Sequence, residues 1–176
     1  MNLSRRRDVP LYLCYSILGQ QLSTKVAATI RKRFLNLYQG KPSPQLILDT
    51  SHETLRSIGL SGAKANYVHN VARFTLESGL DHKVLHKMNN EEVIEYLTRI
   101  KGVGRWTAEM LLMFTLGRED VFAVDDLGIQ QAMIKVYKLD KTDKKKLRGK
   151  MLQISEGWSP YRTYACLHLW HHKDTS

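Results

Sequence analysis

Between Leu97 and Gln131 the chain reads LTRIKGVGRWTAEMLLMFTLGREDVFAVDDLGIQQ, and two features in it could do chemistry. The first is the glycine-rich turn Gly102-Val103-Gly104, set directly before an apolar helical segment. The second is the doublet Asp125-Asp126 at the start of another helix. A turn between helices takes glycine for backbone angles closed to other residues and for close approach to a partner. The amides that follow point out of a helix N-terminus, where the dipole and unpaired N–H groups favour an anion. A DNA phosphate suits that position, and phosphate contacts fix register without reading sequence. The carbonyls of the hairpin, at Thr98, Ile100 and Val103, could also hold a monovalent or divalent cation. Taken alone, the doublet reads as a helix cap with a second acid beside the dipole. Taken with the turn, it supplies a carboxylate near a bound phosphate, and chemistry on DNA is the expectation.

The rest of the composition allows this. A chain of 176 residues with 43% hydrophobic content suits one domain with its own core. A formal net charge of +10 favours a polyanionic partner, since clustered Lys and Arg release counterions from phosphates; it also serves plain solubility. No apolar run is long enough to span a membrane, and MNLSRRRDVP lacks the apolar centre and cleavage site of a signal peptide. An intracellular protein, not secreted, is expected. Cys14 and Cys166 cannot supply the four thiolates of an iron–sulfur cluster, and both lie in apolar helical patterns. They are expected as buried, reduced thiols.

The elements that must position the turn and the acids are helical, because apolar residues recur at helical spacing and no stretch alternates as a strand would. Helices are expected over Leu11–Gly19, from Ser23 to Tyr38 with Ser23 as N-cap, and over Glu53–Ile58. Further ones should cover Ala63–Ser78, Glu91–Ile100 capped by Asn89, and Arg105–Leu116. The last three should cover Asp126–Tyr137, Lys141–Ser155 and Tyr161–His171. Gln39 to Ser51, with Gly40, Pro42 and Pro44, reads as a loop that could hold one turn of helix.

The string LxxIKGVGRWTA resembles the helix-hairpin-helix of the DNA glycosylase superfamily that carries a Gly/Pro-rich loop and a downstream aspartate (HhH-GPD). Within it the chain is similar to the alkylpurine (3-methyladenine) branch. YSILGQQLSTKVA, LSGAKANYV, DVFAVDDLGIQQA and GWSPYRTYACLHLW resemble further blocks of that branch, in its usual order. The resemblance implies an all-α fold of two helical lobes with the active-site cleft between them. Residues 1–176 would form one such domain. Residues 15–125 would make the central lobe, with the hairpin at 98–108, and 1–14 with 126–176 the second lobe. Relatives often carry more sequence before the first matching helix, so a minimal or shortened version is expected.

The resemblance also implies roles. The string VFxxDD, with Ile129 three positions on, selects Asp126 as the carboxylate facing C1′ of a flipped nucleotide, and leaves Asp125 to cap the helix. An acid there stabilises the positive charge that builds on the sugar as the glycosidic bond breaks, and can orient or deprotonate a water. Strand-nicking relatives carry a lysine directly after the GVGR-type turn, where it forms a Schiff base. Here that position is Trp106, and Lys101 lies before the first glycine, so base excision without lyase activity is expected. Trp106 and Trp170 match aromatic positions of the base pocket, while Met110 and His171 replace aromatic ones; Trp170 could equally be core packing. Gly102, Val103, Gly104, Arg105 and Thr107 would meet the DNA backbone, and Gly62 with Lys64 a second phosphate. The duplex wedge would be Gln21 by alignment or Leu22 by apolar character.

No cofactor is expected for catalysis, beyond a structural cation at the hairpin. The partner would be double-stranded DNA containing damaged bases, bound by a monomer. His168 and His172 lie one helical turn apart but lack a third zinc ligand, and KTDKKKLRGK reads as a solvated helix face. Two other readings stand beside this one. A non-catalytic hairpin protein that binds DNA or senses damage would have no need of Asp126. A glycosylase for oxidised or mismatched bases would, in most relatives, carry the lysine or an iron–sulfur motif.

Overall fold

The computed structural model describes residues 8–174, and among them the chain forms helices and no strand. In order they are α1 (Val9–Gly19), α2 (Thr24–Leu37), α3 (Pro44–Asp49), α4 (His52–Ser57), α5 (Gly62–Ser78) and α6 (His82–Lys87). They continue as α7 (Asn90–Thr98), α8 (Arg105–Phe114), α9 (Leu127–Tyr137), α10 (Lys144–Glu156) and α11 (Arg162–Asp174). The all-α expectation holds, and most boundaries fall within a turn of those read from periodicity. Two segments differ. Residues 44–49 form a helix because Ser43 caps it and Pro44 presets its first turn. Residues 82–87, for which no helix was expected, form one because Asp81 caps it and Leu85 is buried beneath it.

Capping explains where these helices begin. Asp8, Ser23, Ser43, Ser51, Ser61, Asp81, Asn89, Asp126 and Asp143 each accept a hydrogen bond from a first-turn amide of the helix that follows. At α7 the cap is reciprocal, with Asn89 accepting from Glu92 N–H and the Glu92 carboxylate accepting from Asn89 N–H. Among α1 to α10, α8 alone starts without a side-chain cap; its N-cap is Gly104.

The α8 helix is also the most enclosed. Every residue from Thr107 to Met113 is buried, so its sequence is apolar around most of its circumference. It packs against α7 and α1, while α1 packs against α5 and α2, and α3 and α4 close on α5. The helices α9 and α11 pair with each other. A continuous apolar cluster runs through both groups, from Leu13, Ile17 and Phe34 to Leu111, Ile129 and Met133. Each such side chain contributes about 1.5–3 kcal/mol on burial. The described part of residues 1–14 belongs to α1; residues 1–7 lie outside the described ones. Cys14 and Cys166 are both buried and unbridged, and burial pushes each thiol up to about 12. Among the described residues no helix is long and apolar enough to cross a membrane.

Candidate active site

The hairpin runs from the end of α7 to Gly104. The Val103 amide donates to Ile100 O at 2.9 Å, closing the turn. Gly102 sits at φ +108°, and a Cβ there would run into the ring of Tyr67, so both backbone angle and space require glycine. Gly104 has an ordinary φ of −96°, and a Cβ would meet nothing within 4 Å. The sequence expectation of strained angles therefore holds at Gly102 and fails at Gly104, which instead faces open space. Two side chains hold the turn from behind: Asn70 Nδ2 donates to Lys101 O at 3.0 Å, and Gln20 Nε2 donates to Gly102 O at 3.1 Å.

With no side-chain cap, the first-turn amides of α8 at Arg105, Trp106 and Thr107 are offered outward by geometry, because the first amides of any helix lack intrahelical partners. The side chains are a different matter. Val103 and Thr107 are buried, so only their backbone can reach a phosphate. The Arg105 guanidinium, expected on DNA, is committed to the protein. It donates to Glu91 Oε1 at 2.6 Å and Oε2 at 3.0 Å, and to Glu109 Oε1 at 3.0 Å. Arg105 holds the Glu91 carboxyl below its ordinary value, whereas burial pushes Glu109 up to about 7.

The acid doublet divides its roles differently from the expectation. Asp126, not Asp125, caps α9, its Oδ1 accepting from Ile129 N–H at 2.9 Å. Asp125 turns away and pairs with Arg148, Nε to Oδ1 at 3.0 Å, in an exposed ion pair. Capping and site geometry thus fall on one residue, because the cap position is the one that points a carboxylate back over the helix start. Asp126 takes two further donors. Trp170 Nε1 reaches Oδ1 at 2.8 Å, and Trp106 Nε1 reaches Oδ2 at 2.8 Å. Gly128 leaves room beside the first, since a Cβ there would lie 3.1 Å from both Asp126 Oδ1 and Trp170 Cδ1, a tight contact.

Beside Trp106 opens a cleft of about 740 Å³. Its walls are Tyr12 and Tyr15 from α1, Tyr67 from α5, and Trp106 with Met110 from α8; Arg31 and Lys64 stand at its edge. Trp106 is 45% exposed there, and Met110 is buried in the floor. Trp170 and His171, expected in the pocket, do not line it. Trp170 stacks on Phe114 at 6.0 Å and reaches the site through Asp126, while His171 lies exposed on α11. The three tyrosines were missed from sequence; the pairing of Tyr12 with Tyr15 on one amphipathic helix was the available signal.

Lys64 is likewise engaged within the protein. Its ammonium donates to Leu18 O at 3.1 Å and Gln20 O at 2.8 Å, capping the carbonyl end of α1, and desolvation there lowers its pKa. It holds the turn between α1 and α2. Gly62 does face open space, at the Ser61-capped start of α5. At the tip of the turn Gln21 is exposed in the left-handed region, φ 57°, and borders the cleft; Leu22 is 37% exposed outside it. Among the described residues no group of three His, Cys, Asp or Glu is placed to hold a metal, His168 and His172 included.

Three comparisons bear on this arrangement. Residues 14–157 match the family model described as HhH-GPD superfamily base excision DNA repair protein. The chain is 37% identical over 161 residues to DNA-3-methyladenine glycosylase 1 of Schizosaccharomyces pombe, covering 90% of this chain and 69% of that one. Among solved structures it is similar to a DNA-3-methyladenine glycosidase from Bacillus halodurans (TM-score 0.87, 38% identity, 98% of this chain and 79% of that one). It is also similar to the S. pombe 3-methyladenine DNA glycosylase in complex with abasic DNA (TM-score 0.83, 36% identity, 97% and 83% of the two chains). The chain spans 59% of the length of a Bacillus subtilis relative that is 33% identical to it.

Proposed function

The chain belongs to the HhH-GPD superfamily of base excision DNA repair proteins, and on that footing we propose that it excises alkylated purines, such as 3-methyladenine and 7-methylguanine, from double-stranded DNA. The observation that carries this reading is Asp126, held by two indole N–H groups, one of them from Trp106, which walls an aromatic cleft. Excision from a duplex requires the nucleotide to be flipped out and its base stacked in a pocket. An alkylated purine carries positive charge, and a cation over the face of Trp or Tyr gains about 0.5–2 kcal/mol, so a wall of Tyr12, Tyr15, Tyr67 and Trp106 favours it over an ordinary base.

As the C1′–N bond breaks, its electron pair goes to the leaving base and neutralises the purine. Positive charge moves to the sugar, and Asp126 faces it as a fixed anion. Water then bonds to C1′ and its proton passes to the carboxylate or to solvent. A purine that is charged before the bond breaks and neutral once it leaves needs no general acid. With Trp106 where a Schiff-base lysine would stand, the strand stays intact. The uncapped start of α8 takes one phosphate through backbone amides, and Gln21, exposed at the rim, fills the gap left in the duplex. The hairpin carbonyls of Thr98, Ile100 and Val103 form an all-oxygen set that suits a hard cation, which would add positive charge beside that phosphate. The protein acts as a monomer.

The test is incubation with methylated duplex DNA, with chromatography of the released bases. Wild type should release free methylpurine, and Asp126→Asn should not. Binding without release by wild type would favour a damage sensor. A covalent adduct trapped by borohydride would contradict the intact strand.

A further inference from the structure

A carboxylate offers about four lone-pair positions to donors. In Asp126 donors from the described residues fill three: two on Oδ1, by Ile129 N–H at 2.9 Å and Trp170 Nε1 at 2.8 Å, and one on Oδ2, by Trp106 Nε1 at 2.8 Å. The two indoles differ in kind. Trp170 is part-buried, stacked on Phe114 and lodged against Gly128, so it holds Oδ1 from the protein interior. Trp106 is 45% exposed and forms a wall of the cleft, so whatever occupies the cleft also touches the group that holds Oδ2.

We propose that Trp106 is a positioning residue for Asp126: its N–H aims Oδ2 so that the one remaining lone pair is presented to the reacting centre. This rests on the glycosylase reading above. Oδ1 is the anchored oxygen and Oδ2 the working one. A base stacked on the indole face fixes the ring, and the ring in turn fixes the carboxylate, so filling the cleft and orienting the charge are one event. A fixed carboxylate needs no reorganisation as charge develops on the sugar, which is the source of its advantage over a mobile one. Trp106 therefore does two separable things, stacking through its face and aiming through its N–H.

The experiment separates them. Replacing Trp106 by benzothienylalanine puts sulfur in place of N–H and keeps the fused ring; Trp106→Phe is a second variant that also lacks the donor. The expected result is a fall in single-turnover kcat of about tenfold or more, with Kd for abasic-site duplex within about threefold of wild type. The same replacement at Trp158, which is not bonded to Asp126, should change neither. In a ¹⁵N-correlated spectrum Asp126→Asn should move the indole signals of Trp106 and Trp170 and leave that of Trp158. An unchanged kcat in the benzothienylalanine protein overturns the proposal, as does an equal loss in kcat and in affinity, which would reduce Trp106 to a stacking wall. Absence of base release by wild type is a different failure, because it removes the glycosylase reading and this proposal with it.

Discussion

The starts of α8 and α9 are the same feature put to opposite uses. Both are helix N-termini with outward amides and a positive dipole end. At α9 a side chain of the chain itself, Asp126, occupies the position and is thereby fixed in place. At α8 the cap is Gly104, with nothing within 4 Å of where a Cβ would stand, so no side chain fills the position. A capped end immobilises a carboxylate, whereas the uncapped end is where the proposed phosphate would sit. Trp106, in the first turn of α8, bridges the two by donating to the Asp126 cap.

This comparison can be broken from either side. The largest effect expected is from Asp126→Asn, which keeps an acceptor for Ile129 N–H but removes the charge. Base release should fall by about 10²–10³-fold or more, with binding to abasic duplex retained. If Asp125→Asn gave that loss instead, the assignment within the doublet would be reversed. Next comes the other helix. Gly104→Asp supplies α8 with the cap it lacks and should stabilise the protein by about a few tenths of a kcal/mol in denaturant melts. It should also weaken DNA binding at least about tenfold, because the new carboxylate takes the amides and repels the phosphate. Tighter binding in that variant would mean the α8 start is not the anion site. Gly102→Ala tests the same hairpin without touching its charge: the clash with Tyr67 and the positive φ should cost about 1–3 kcal/mol of stability.

A smaller effect concerns pH. The folded protein holds the Glu109 proton up to about 7, above the ordinary 4.5, because burial disfavours the anion. The unfolded chain releases that proton first, so Glu109 lowers stability progressively as pH rises from about 4.5 to about 7. Thermal melts of Glu109→Gln should gain on wild type across that window and run parallel to it above. Smallest of all, Arg148→Ala removes an exposed ion pair with Asp125 and should change stability by less than about 1 kcal/mol, leaving base release intact.

Much of this was legible in the sequence, and the failures have physical reasons. Helical spacing and caps give nearly every long helix, since α2, α5 and α7 each start at a Ser or Asn followed by inward apolar residues. The α6 helix escapes because one buried residue, Leu85, makes no period. Asp126 takes the capping role expected of Asp125 as well as its own, because a cap position and a site position look alike until the backbone is drawn. Lys64 and Arg105 read as cations for DNA, yet tertiary neighbours claim both: two carbonyls of the α1–α2 turn for the one, two carboxylates for the other. The cleft was the least legible part, because Tyr12, Tyr67 and Trp106 come from three helices and meet only in the packed fold.

The two buried cysteines bear on how such a protein survives its surroundings. Agents that methylate purine nitrogens are electrophiles, and a thiolate is ordinarily among the first groups they attack. Cys14 and Cys166 are the chain's two sulfhydryls, each shut in the interior and held protonated with a pKa pushed up to about 12. The chain therefore shows a methylating reagent no exposed thiol, and the chemistry that creates its proposed substrates meets both sulfhydryls buried and protonated.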